Sequence, residues 1–403
     1  MKLIYLHQYF SLPHESGGTR SYDLAASFVK EGFNVTVVTA TSNDEYKSNK
    51  RWTVIETGGI KVHYIYMPYG NHFTYWKRSV TFFKFLWYST FRLLKIRGDM
   101  VLATSTPLTI GIPALVKKWI GKTPFVFEVR DVWPEAVVAI GAIKSKVIKR
   151  ILYGLEELIY SHAAGIVPLS TDMQKSIVSR YPQFKDKAKL VIENIAELNR
   201  FQSNKSEADL SKIVGFQPRF SVLYAGTFGK VNGIQKVVEL ASQTIKIDGG
   251  IVYILVGAGA EKERVKQLAK DKSVLDKNVF ILDPIPKNEL PWFYNAVSMG
   301  SSFVINIPAL WANSANKFFD TLAAMKPVLI NHEGWQAEVI RARNVGYVLP
   351  VEVTEHVARD FVSYSQNEEL IAQQRINAGE LAREMYSLEV ATANYLKVFN
   401  SIK

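Results

Sequence analysis

The chain has 403 residues, of which 48% are hydrophobic and 21% are charged, a composition typical of a globular protein too long for one ordinary core. It has no cysteine, which excludes disulfides and thiolate metal sites. Its net charge is +12, and residues 1–200 hold 27 Lys and Arg against 16 Asp and Glu, whereas residues 201–403 hold 22 against 21. We therefore expect the first half of the chain to bind an anionic partner: a membrane surface, nucleic acid or phosphorylated lipid.

Short β-branched runs alternate with amphipathic helical patterns along the chain. In order, the runs are KLIYLH, NVTVVTA, MVLATS, FVFEVR, AGIVPLS, FSVLYAG, GIVYILVG, NVFILD, SSFVINI, PVLIN and GYVLPV. They predict two doubly wound α/β domains with parallel sheets covered on both faces, whose ligands bind at the carboxyl ends of the strands. We place the domains at residues 1–200 and 201–375. A helical segment at 376–403 is expected to pack back toward the first domain.

The first loop joins a glycine pair to the start of a helix. Gly17 and Gly18 follow the run KLIYLH and precede an amphipathic helical pattern. Glycines let the backbone approach a ligand closely, and the free N–H groups of a helix N-terminus favour an anion. Arg20 in the first turn is unfavourable beside the positive end of the helix dipole, and a bound phosphate would remove that conflict. The alternative is a flexible loop with a solvated arginine.

The stretch over residues 73–97 is rich in aromatic residues and contains no acid, and its pattern predicts a helix. One narrow stripe of this helix contains Lys77, Thr81, Lys84, Tyr88, Arg92 and Lys95. We expect the helix to lie in the plane of an anionic membrane surface. The alternative is a core helix with one solvent-exposed edge. Because the aromatic residues fall on the opposite face, we do not expect them to stack on bases. No run predicts a membrane span or a signal peptide.

Charged residues also follow the predicted strand FVFEVR. Glu128, Arg130, Asp131 and Glu135 cluster at its carboxyl end, beside a proline that opens a helix. Their position predicts a ligand site at the strand end. The alternative is a buried pair between the arginine and the aspartate.

The segment NSANKFFD carries a second candidate site. Asn313 or Ser314 is expected to cap a helix that begins near Asn316, and Lys317 and Asp320 then share one face. A lysine at a helix start indicates an anion, and a carboxylate one turn later accepts hydrogen bonds from sugar hydroxyls. The alternative is a simple ion pair.

Two other signals are weak. Gly257 and Gly259 follow a strand, but Lys262 occupies the third glycine position of a dinucleotide fingerprint. The sequence has no Asp-x-Asp and no histidine pair at ligand spacing, so it predicts no metal site.

Together these motifs resemble the retaining, nucleotide-sugar-dependent glycosyltransferases of family 4, whose GT-B architecture places two Rossmann-like domains on a central cleft. The resemblance covers essentially the whole chain. Its segments are GGTRSYDLA, VIENIAELNRF, YAGTFGKVNGI, VGAGAEKERVKQLA, NVFILDPIPKNELPWFYNA, NKFFDTLAAMKPVLI and GYVLP. The segments FEVRDVWPE and NKFFDTLAAMKPV together are most similar to transferases of O-antigen and colanic-acid-type polysaccharides, including the N-acetylfucosamine transferases.

The resemblance implies a donor site for a UDP-sugar. Asp320 matches the second carboxylate of the E-x7-E motif, which contacts the ribose, and Gly17 and Gly18 match the glycine loop near the diphosphate. Gly226 begins the turn that touches the diphosphate, and the loop 285–287 resembles the one along the uracil. The remaining positions expected to bind the donor are Thr227, Lys230, Ile285, Pro286, Lys287 and Asn316.

Three positions depart from the family pattern. Ala312 replaces the first carboxylate of E-x7-E, Thr227 replaces an arginine, and Asn232 replaces a lysine. The diphosphate therefore needs other cations, and Lys317 is the first choice. Further candidates are Arg20, Lys230 and Arg130.

The resemblance implies transfer of a sugar, with N-acetyl-L-fucosamine as the best choice, to a sugar on undecaprenyl diphosphate in O-antigen, capsule or exopolysaccharide synthesis. Arg130 and Lys317 are expected to serve the reaction as cations, and Asp131 or Glu135 to orient the acceptor. The UDP-sugar is a substrate, so no cofactor, metal or nucleic acid is expected. The expected location is the cytoplasmic face of the membrane. The alternatives are a nucleotide-sugar epimerase on the same fold and a non-catalytic module that binds membrane or nucleic acid.

Overall fold

A computed structural model describes residues 1–15, 18–68, 75–203 and 206–402. The chain forms two compact units: unit 1 is Met1–Glu193 with Leu388–Lys403, and unit 2 is Asn194–Ser387. The division therefore falls a few residues before the predicted boundary at 200. Residues 376–387 lie in unit 2, so the part of the chain that returns to unit 1 is shorter than the predicted segment 376–403.

Each unit contains one sheet among its described residues. Unit 1 has the strand order β3-β4-β2-β1-β5-β6-β7, and unit 2 has β10-β9-β8-β11-β12-β13. The strands are β1 Lys2–Leu6, β2 Asn34–Thr41, β3 Thr53–Thr57, β4 Ile60–Tyr66, β5 Met100–Thr104, β6 Phe125–Val129, β7 Gly165–Pro168, β8 Phe220–Ala225, β9 Ile251–Val256, β10 Val279–Leu282, β11 Met299–Ser302, β12 Val328–Ile330 and β13 Gly346–Val348. All neighbours pair in parallel except β3 and β4, which are antiparallel.

Helices connect and cover the strands. They are α1 Arg20–Lys30, α2 Tyr75–Lys95, α3 Gly111–Gly121, α4 Glu135–Ala139, α5 Lys146–His162, α6 Thr171–Arg180, α7 Leu198–Ser203, α8 Leu210–Val214, α9 Gln235–Thr244, α10 Lys262–Asp271, α11 Leu290–Ala296, α12 Pro308–Trp311, α13 Asn316–Ala323, α14 Trp335–Arg343, α15 Glu355–Gln366, α16 Glu368–Met385 and α17 Leu388–Asn400. The strands β5, β6 and β9 are buried at every residue, because helices cover both faces of the sheets. The predicted fold of two doubly wound α/β domains is confirmed.

Two strand predictions were incomplete. The hairpin β3–β4 was not predicted, although the adjacent Gly58 and Gly59, with φ of 56° and 77°, suit a two-residue hairpin turn. The strand β11 begins two residues before the predicted run SSFVINI and ends at Ser302. Beyond it, the Val304 N–H donates to Asn331 Oδ1 at 2.9 Å, and Asn331 Nδ2 donates to the Val304 carbonyl at 2.8 Å. These bonds to a side chain hold Val304 away from the sheet.

The helices of unit 1 divide between the two faces of its sheet. The crossover through α1 runs from β1 toward β2, whereas those through α2, α3 and α5 run in the opposite direction across the sheet. Right-handed crossovers place these two groups on opposite faces. The helix α17 packs on α1, where the Phe28 ring lies 5.7 Å from the Tyr395 ring and 5.4 Å from the Phe399 ring.

A buried ion pair joins α1, β6 and α17. Arg20 pairs with Glu128, and both side chains are almost completely buried. The Tyr395 hydroxyl donates to Glu128 Oε1 at 2.9 Å, and Thr104 Oγ1 donates to Glu128 Oε2 at 2.6 Å. Burial by itself raises the pKa of Glu128, but Arg20 and these donors hold it below its usual value. The final helix is therefore tied to the sheet by charge as well as by aromatic packing.

We expect Glu128→Ala to lower the free energy of unfolding of unit 1 by about 3–5 kcal/mol, because it leaves the Arg20 guanidinium buried without its carboxylate. Urea denaturation followed by circular dichroism and tryptophan fluorescence measures the loss. The control Glu333→Ala breaks an ion pair with Arg341 whose side chains are 55% and 53% exposed, and it should cost less than about 1 kcal/mol. Equal losses for the two variants would contradict the structural role of the buried pair.

Candidate functional site

Glycines bring two loops of unit 2 together at the carboxyl ends of β8 and β9. A Cβ atom on Gly257 would lie 1.9 Å from the Gly226 carbonyl oxygen, and one on Gly259 would lie 2.4 Å from the Phe228 carbonyl oxygen. The Phe228 N–H donates to the Ala258 carbonyl at 2.9 Å. No larger residue fits at these two glycines without moving backbone, so the turn that begins at Gly226 is fixed against the next loop.

The side chain of Lys317, in α13, packs against this turn. A Cβ atom on Gly226 would be 2.8 Å from Lys317 Cε, and Lys317 Nζ lies 5.2 Å from the centre of the Tyr224 ring. The order β9-β8-β11 makes β8 and β11 the point where the chain reverses direction across the sheet, which is where doubly wound folds bind ligands. Burial lowers the pKa of Lys317, and Asp320 opposes that shift.

Asp320 lies one turn further along α13. Burial and the Glu197 carboxylate raise its pKa to about 7, although Arg200, Lys287 and Lys317 oppose the shift. Its electrostatic interaction with Lys287 connects α13 with the loop 285–287 that follows β10. The structure therefore brings three of the predicted segments of unit 2 to one edge of the sheet.

The turn after β8 is closed by its own polar groups. The Thr227 carbonyl accepts a hydrogen bond from the Tyr224 hydroxyl at 2.7 Å and another from Asn232 Nδ2 at 2.6 Å. Asn232, which stands where the resemblance leads one to expect a lysine, thus supports the turn. The side chains of Thr227 and Lys230 are exposed beside it.

The start of α13 agrees with the prediction, but its cap does not. The helix begins at Asn316, and the capping position is occupied by Ala315, which has no side chain to donate or accept. Ser314 and Asn316 instead contact Asn194: the Asn194 amide donates to the Ser314 carbonyl and, at 2.9 Å, to Asn316 Oδ1. Ser314, one of the two residues expected to cap the helix, is therefore held by a residue more than a hundred positions away.

In unit 1, the partner of Arg20 changes the interpretation of the first loop. Its guanidinium is 4% exposed and paired with Glu128, and the carbonyls of Ile192 and Glu193 accept from it. The charge conflict at the start of α1 is therefore removed by a protein carboxylate, so the argument that it requires a bound phosphate is wrong. Gly18 is exposed just before α1, and Gly17 lies outside the described residues.

Each of the three charged residues after β6 has its own partners. The Arg130 N–H donates to Ser105 Oγ at 2.9 Å, and the Asp131 carboxylate accepts from Thr106 Oγ1 at 2.6 Å. Glu135 accepts from Ser176 Oγ at 2.5 Å and lies 3.6 Å from Arg180. The aspartate is therefore fixed by Thr106, and not by the alternative, a pair with Arg130. Contact of these residues with an acceptor stays a prediction.

Polar residues at the ends of β1 and β2 form a cleft that the sequence did not indicate. The strand-end cleft is lined by Gln8, Tyr9, His14, Glu15 and Asn43. His7, just before it, is buried with Nδ1 2.9 Å from Ser21 Oγ. Burial and the charges of Arg130 and Arg20 lower its pKa, which keeps the ring neutral. A histidine directly after the run KLIYL was the signal for a site at this edge.

The helix α2 exposes aromatic residues beside cations, contrary to the prediction. Phe83 and Trp87 are 70% and 64% exposed, and exposed Lys84 lies between them. Arg92, predicted to be in the cation stripe, donates to His63 Nδ1 at 2.8 Å. The geometric reason for excluding base stacking is therefore wrong, and the absence of a nucleic-acid partner stays a prediction. Residues 73 and 74 and the side chain of Lys77 lie outside the description.

The exposed apolar surface continues from α2 across the same face of the sheet. Trp119 and Ile120 are exposed at the end of α3, and the Trp119 ring contacts His162 of α5 with 5.5 Å between ring centres. Exposed cations flank the apolar residues on α5, among them Lys146 and Arg150. We call this surface the apolar–basic face; its apolar members are Phe83, Trp87, Phe91, Trp119, Ile120, Val147, Ile148, Ile151 and Leu158. The sequence KSKVIKRIL carried the signal for its α5 part.

The described residues contain neither a candidate membrane span nor a candidate metal cluster. No helix in the described ranges is both long and apolar enough to cross a bilayer. No group of three His, Asp or Glu side chains in these ranges is placed to hold a metal ion. Metal independence of the reaction stays a prediction.

Two family models match the chain, one in each half. A model described as a glycosyl transferase 4-like domain matches residues 17–188, and one described as glycosyl transferases group 1 matches residues 206–382. Curated relatives include a probable glycosyltransferase, WbjE, of Pseudomonas aeruginosa, 24% identical over 63% of both chains. Spore coat protein SA of Bacillus subtilis is 20% identical over 54% of this chain and 60% of its own. The matches span less than two thirds of these relatives.

Solved structures share the fold over the whole chain. Sucrose-phosphate synthase from Thermosynechococcus elongatus covers 100% of this chain, with 98% of its own chain matched, a TM-score of 0.72 and 15% identity. Anabaena HepE in complex with UDP and glucose covers 100% of both chains with a TM-score of 0.68 and 15% identity. WaaG, a glycosyltransferase involved in lipopolysaccharide biosynthesis, covers 98% of this chain and 99% of its own, with a TM-score of 0.65 and 15% identity.

The raised pKa of Asp320 predicts a pH dependence of stability. Because this pKa lies above the ordinary aspartate value, the native protein keeps a proton that the unfolded chain has released between about pH 4 and 7. We expect the free energy of unfolding of unit 2 to fall as the pH rises through that range. Asp320→Asn, which does not ionise, should be more stable than wild type by on the order of 2 kcal/mol at about pH 8.

Urea denaturation at a series of pH values measures this difference. The control Asp276→Asn changes an exposed aspartate and should follow the wild-type curve. Parallel curves for wild type and Asp320→Asn would show that the carboxylate is not destabilised by its site.

Proposed function

The chain belongs to the family 4 glycosyltransferases of GT-B fold, and on this basis we propose that it transfers a sugar from a UDP-sugar to a sugar on undecaprenyl diphosphate, with retention of configuration. The observation that carries the proposal is the position of Lys317 on the Gly226 turn at the switch point of the unit 2 sheet. The UDP and glucose in HepE support a UDP-sugar donor, and the role of WaaG supports a polysaccharide product. N-acetyl-L-fucosamine remains the first sugar to test.

Unit 2 provides the groups that a donor diphosphate needs. In the proposal, Lys317 Nζ binds the diphosphate beside the Gly226 turn, and the N-terminus of α13 adds the positive end of its dipole. Asp320 accepts hydrogen bonds from the ribose hydroxyls, and the backbone of the loop 285–287 lies along the uracil. The cations that the family pattern places at 227 and 232 are absent, so Lys317 carries more of the charge stabilisation.

The proposed reaction breaks the bond between the anomeric carbon and the β-phosphate oxygen of the donor. A bond forms between that carbon and the acceptor hydroxyl oxygen on the same face of the sugar, and the acceptor proton passes to the departing phosphate oxygen. The products are UDP and a lipid-linked oligosaccharide longer by one sugar. Negative charge develops on the diphosphate in the transition state, so a lysine fixed there lowers the barrier.

A panel of UDP-sugars with a short-chain prenyl diphosphate–N-acetylglucosamine acceptor tests the function, with products identified by mass spectrometry. We expect one donor to give an acceptor longer by one sugar and free UDP. We expect Lys317→Ala to lower kcat at least about 100-fold, as removal of one donor to a developing anion does elsewhere. Asp320→Asn should mainly raise KM for the donor.

The control Lys326→Ala removes another lysine of unit 2, whose Nζ donates to the Asn295 carbonyl at 2.7 Å, and should leave kcat unchanged. Full activity of Lys317→Ala would show that the site is wrongly placed. Conversion of the UDP-sugar without transfer would instead indicate an epimerase.

The same proposal places the apolar–basic face on an anionic membrane. Exposed aromatic and aliphatic side chains lie beside exposed lysines and arginines on three adjacent helices, the composition of an interfacial membrane surface. Each cation near an anionic leaflet contributes about 1 kcal/mol. The aliphatic residues of α5 cannot stack on bases, so they favour lipid over nucleic acid as the partner of this face.

Sedimentation with vesicles of phosphatidylglycerol and phosphatidylcholine tests this attachment. We expect Ile148→Asn with Ile151→Asn to weaken binding about tenfold, because two exposed side chains no longer enter the lipid boundary. The matched control, Phe216→Ser with Ile376→Asn, changes exposed apolar residues of unit 2 and should bind like wild type. Equal binding by both double variants, or stronger binding to single-stranded oligonucleotides than to vesicles, would contradict the membrane role.

A further inference from the structure

Unit 1 contains a groove whose walls are rich in lysine and arginine. This basic groove lies between the loop before β3, the end of β4 and the outer side of α2. Its polar and charged walls include Lys47, Lys50, Arg51, Tyr66, Lys84 and Tyr88. No carboxylate lines the groove in the part of the chain that the structure describes. None of its four cations forms an ion pair with a described carboxylate. A ligand with more than one negative charge would compensate this cluster.

Aromatic rings hold two of these cations at the groove wall. The Arg51 guanidinium lies 4.5 Å from the centre of the Tyr88 ring, and Lys47 Nζ lies 5.4 Å from the centre of the Tyr66 ring. The Thr53 hydroxyl donates to the Tyr46 carbonyl at 2.8 Å, which fixes the base of the loop that carries the lysines. Arg51 and Lys47 are therefore positioned by the fold before any ligand binds, which reduces the entropy lost on binding.

The basic groove is continuous with a different surface at each end. At one end it shares Met67 and Thr81 with the strand-end cleft, whose walls are rich in hydroxyl, amide and carboxylate groups. At the other end it shares Lys84 and Tyr88 with an apolar hollow formed by Phe83 and Trp87. Polar, cationic and apolar surfaces therefore follow one another along unit 1 in that order.

This order matches the chemical order of a sugar, a diphosphate and a hydrocarbon chain. We propose that the basic groove binds the diphosphate of a lipid-linked acceptor, with its sugar in the strand-end cleft and the first isoprene units against Phe83 and Trp87. The inference rests on the proposed transferase function for its choice of acceptor, but the groove and its charges are independent of that function. The diphosphate is bound through its charge at Lys47, Lys50, Arg51 and Lys84.

Equilibrium titration with farnesyl diphosphate, farnesyl monophosphate and inorganic diphosphate tests the groove without any transfer reaction. Wild type should bind farnesyl diphosphate more tightly than farnesyl monophosphate, which has fewer charges, and more tightly than inorganic diphosphate, which has no hydrocarbon. Arg51→Ala with Lys84→Ala should weaken binding of farnesyl diphosphate at least about tenfold. Phe83→Ser should weaken farnesyl diphosphate and leave inorganic diphosphate unchanged.

Two controls separate a local effect from misfolding. Lys30→Ala removes an exposed lysine at the end of α1, on the opposite face of the sheet, and should bind farnesyl diphosphate like wild type. UDP binding should be unchanged in Arg51→Ala with Lys84→Ala, because the proposed UDP site lies in unit 2.

Unchanged farnesyl diphosphate affinity in the double variant would overturn the proposal. So would binding of soluble glycerophosphoglycerol as tight as that of inorganic diphosphate, because the groove would then recognise lipid headgroups in general. An oligonucleotide that displaces farnesyl diphosphate from the wild type would also overturn it. If the groove variants lose prenyl diphosphate while no UDP-sugar is transferred to any acceptor, the groove stands and the proposed transferase function fails.

Discussion

The candidate site of unit 2 and the strand-end cleft of unit 1 both depend on the parallel pairing of strands within each unit. Parallel strands direct all their carboxyl ends to one edge of a sheet, so loops that are far apart in sequence meet there. In unit 2 this edge brings the turn at Gly226, the loop 285–287 and the start of α13 together. In unit 1 the same edge carries the strand-end cleft. The close glycine contacts in unit 2 then fix loops that strand pairing alone would only bring near one another.

Charge is used in two different ways in unit 1. Two arginines have buried carboxylate partners: buried Arg20 pairs with Glu128, and partly buried Arg180 pairs with Glu156. Such pairs join distant elements, and their charges are compensated within the fold. The exposed cations of the basic groove and of α5 lie beside aromatic and aliphatic side chains. This second group gives the first half of the sequence its excess charge, and it is the group available to a ligand or a surface.

The sequence predicted features that depend on local pattern and missed those that depend on distant partners. The strand β9 and the start of α13 at Asn316 followed from short runs of residues, and the resemblance to family 4 indicated the glycosyltransferase fold. The partner of Arg20 is 108 positions away, so the sequence alone left its charge apparently uncompensated. The solvent-facing side of α2 was misassigned because helical periodicity identifies faces but does not say which of two apolar faces meets the sheet.

Burial acts against both charges at the unit 2 site. Burial lowers the pKa of Lys317 and raises that of Asp320 to about 7, so desolvation works against the charged form of both. A diphosphate beside Lys317 would favour the ammonium form, and that positive charge in turn favours the ionised carboxylate one helical turn away. Binding of the diphosphate would thus strengthen Asp320 as a hydrogen-bond acceptor for the ribose of the same UDP-sugar. Because Thr227 and Asn232 stand where the family pattern has cations, more of this coupling would rest on Lys317 than in a site that carried them.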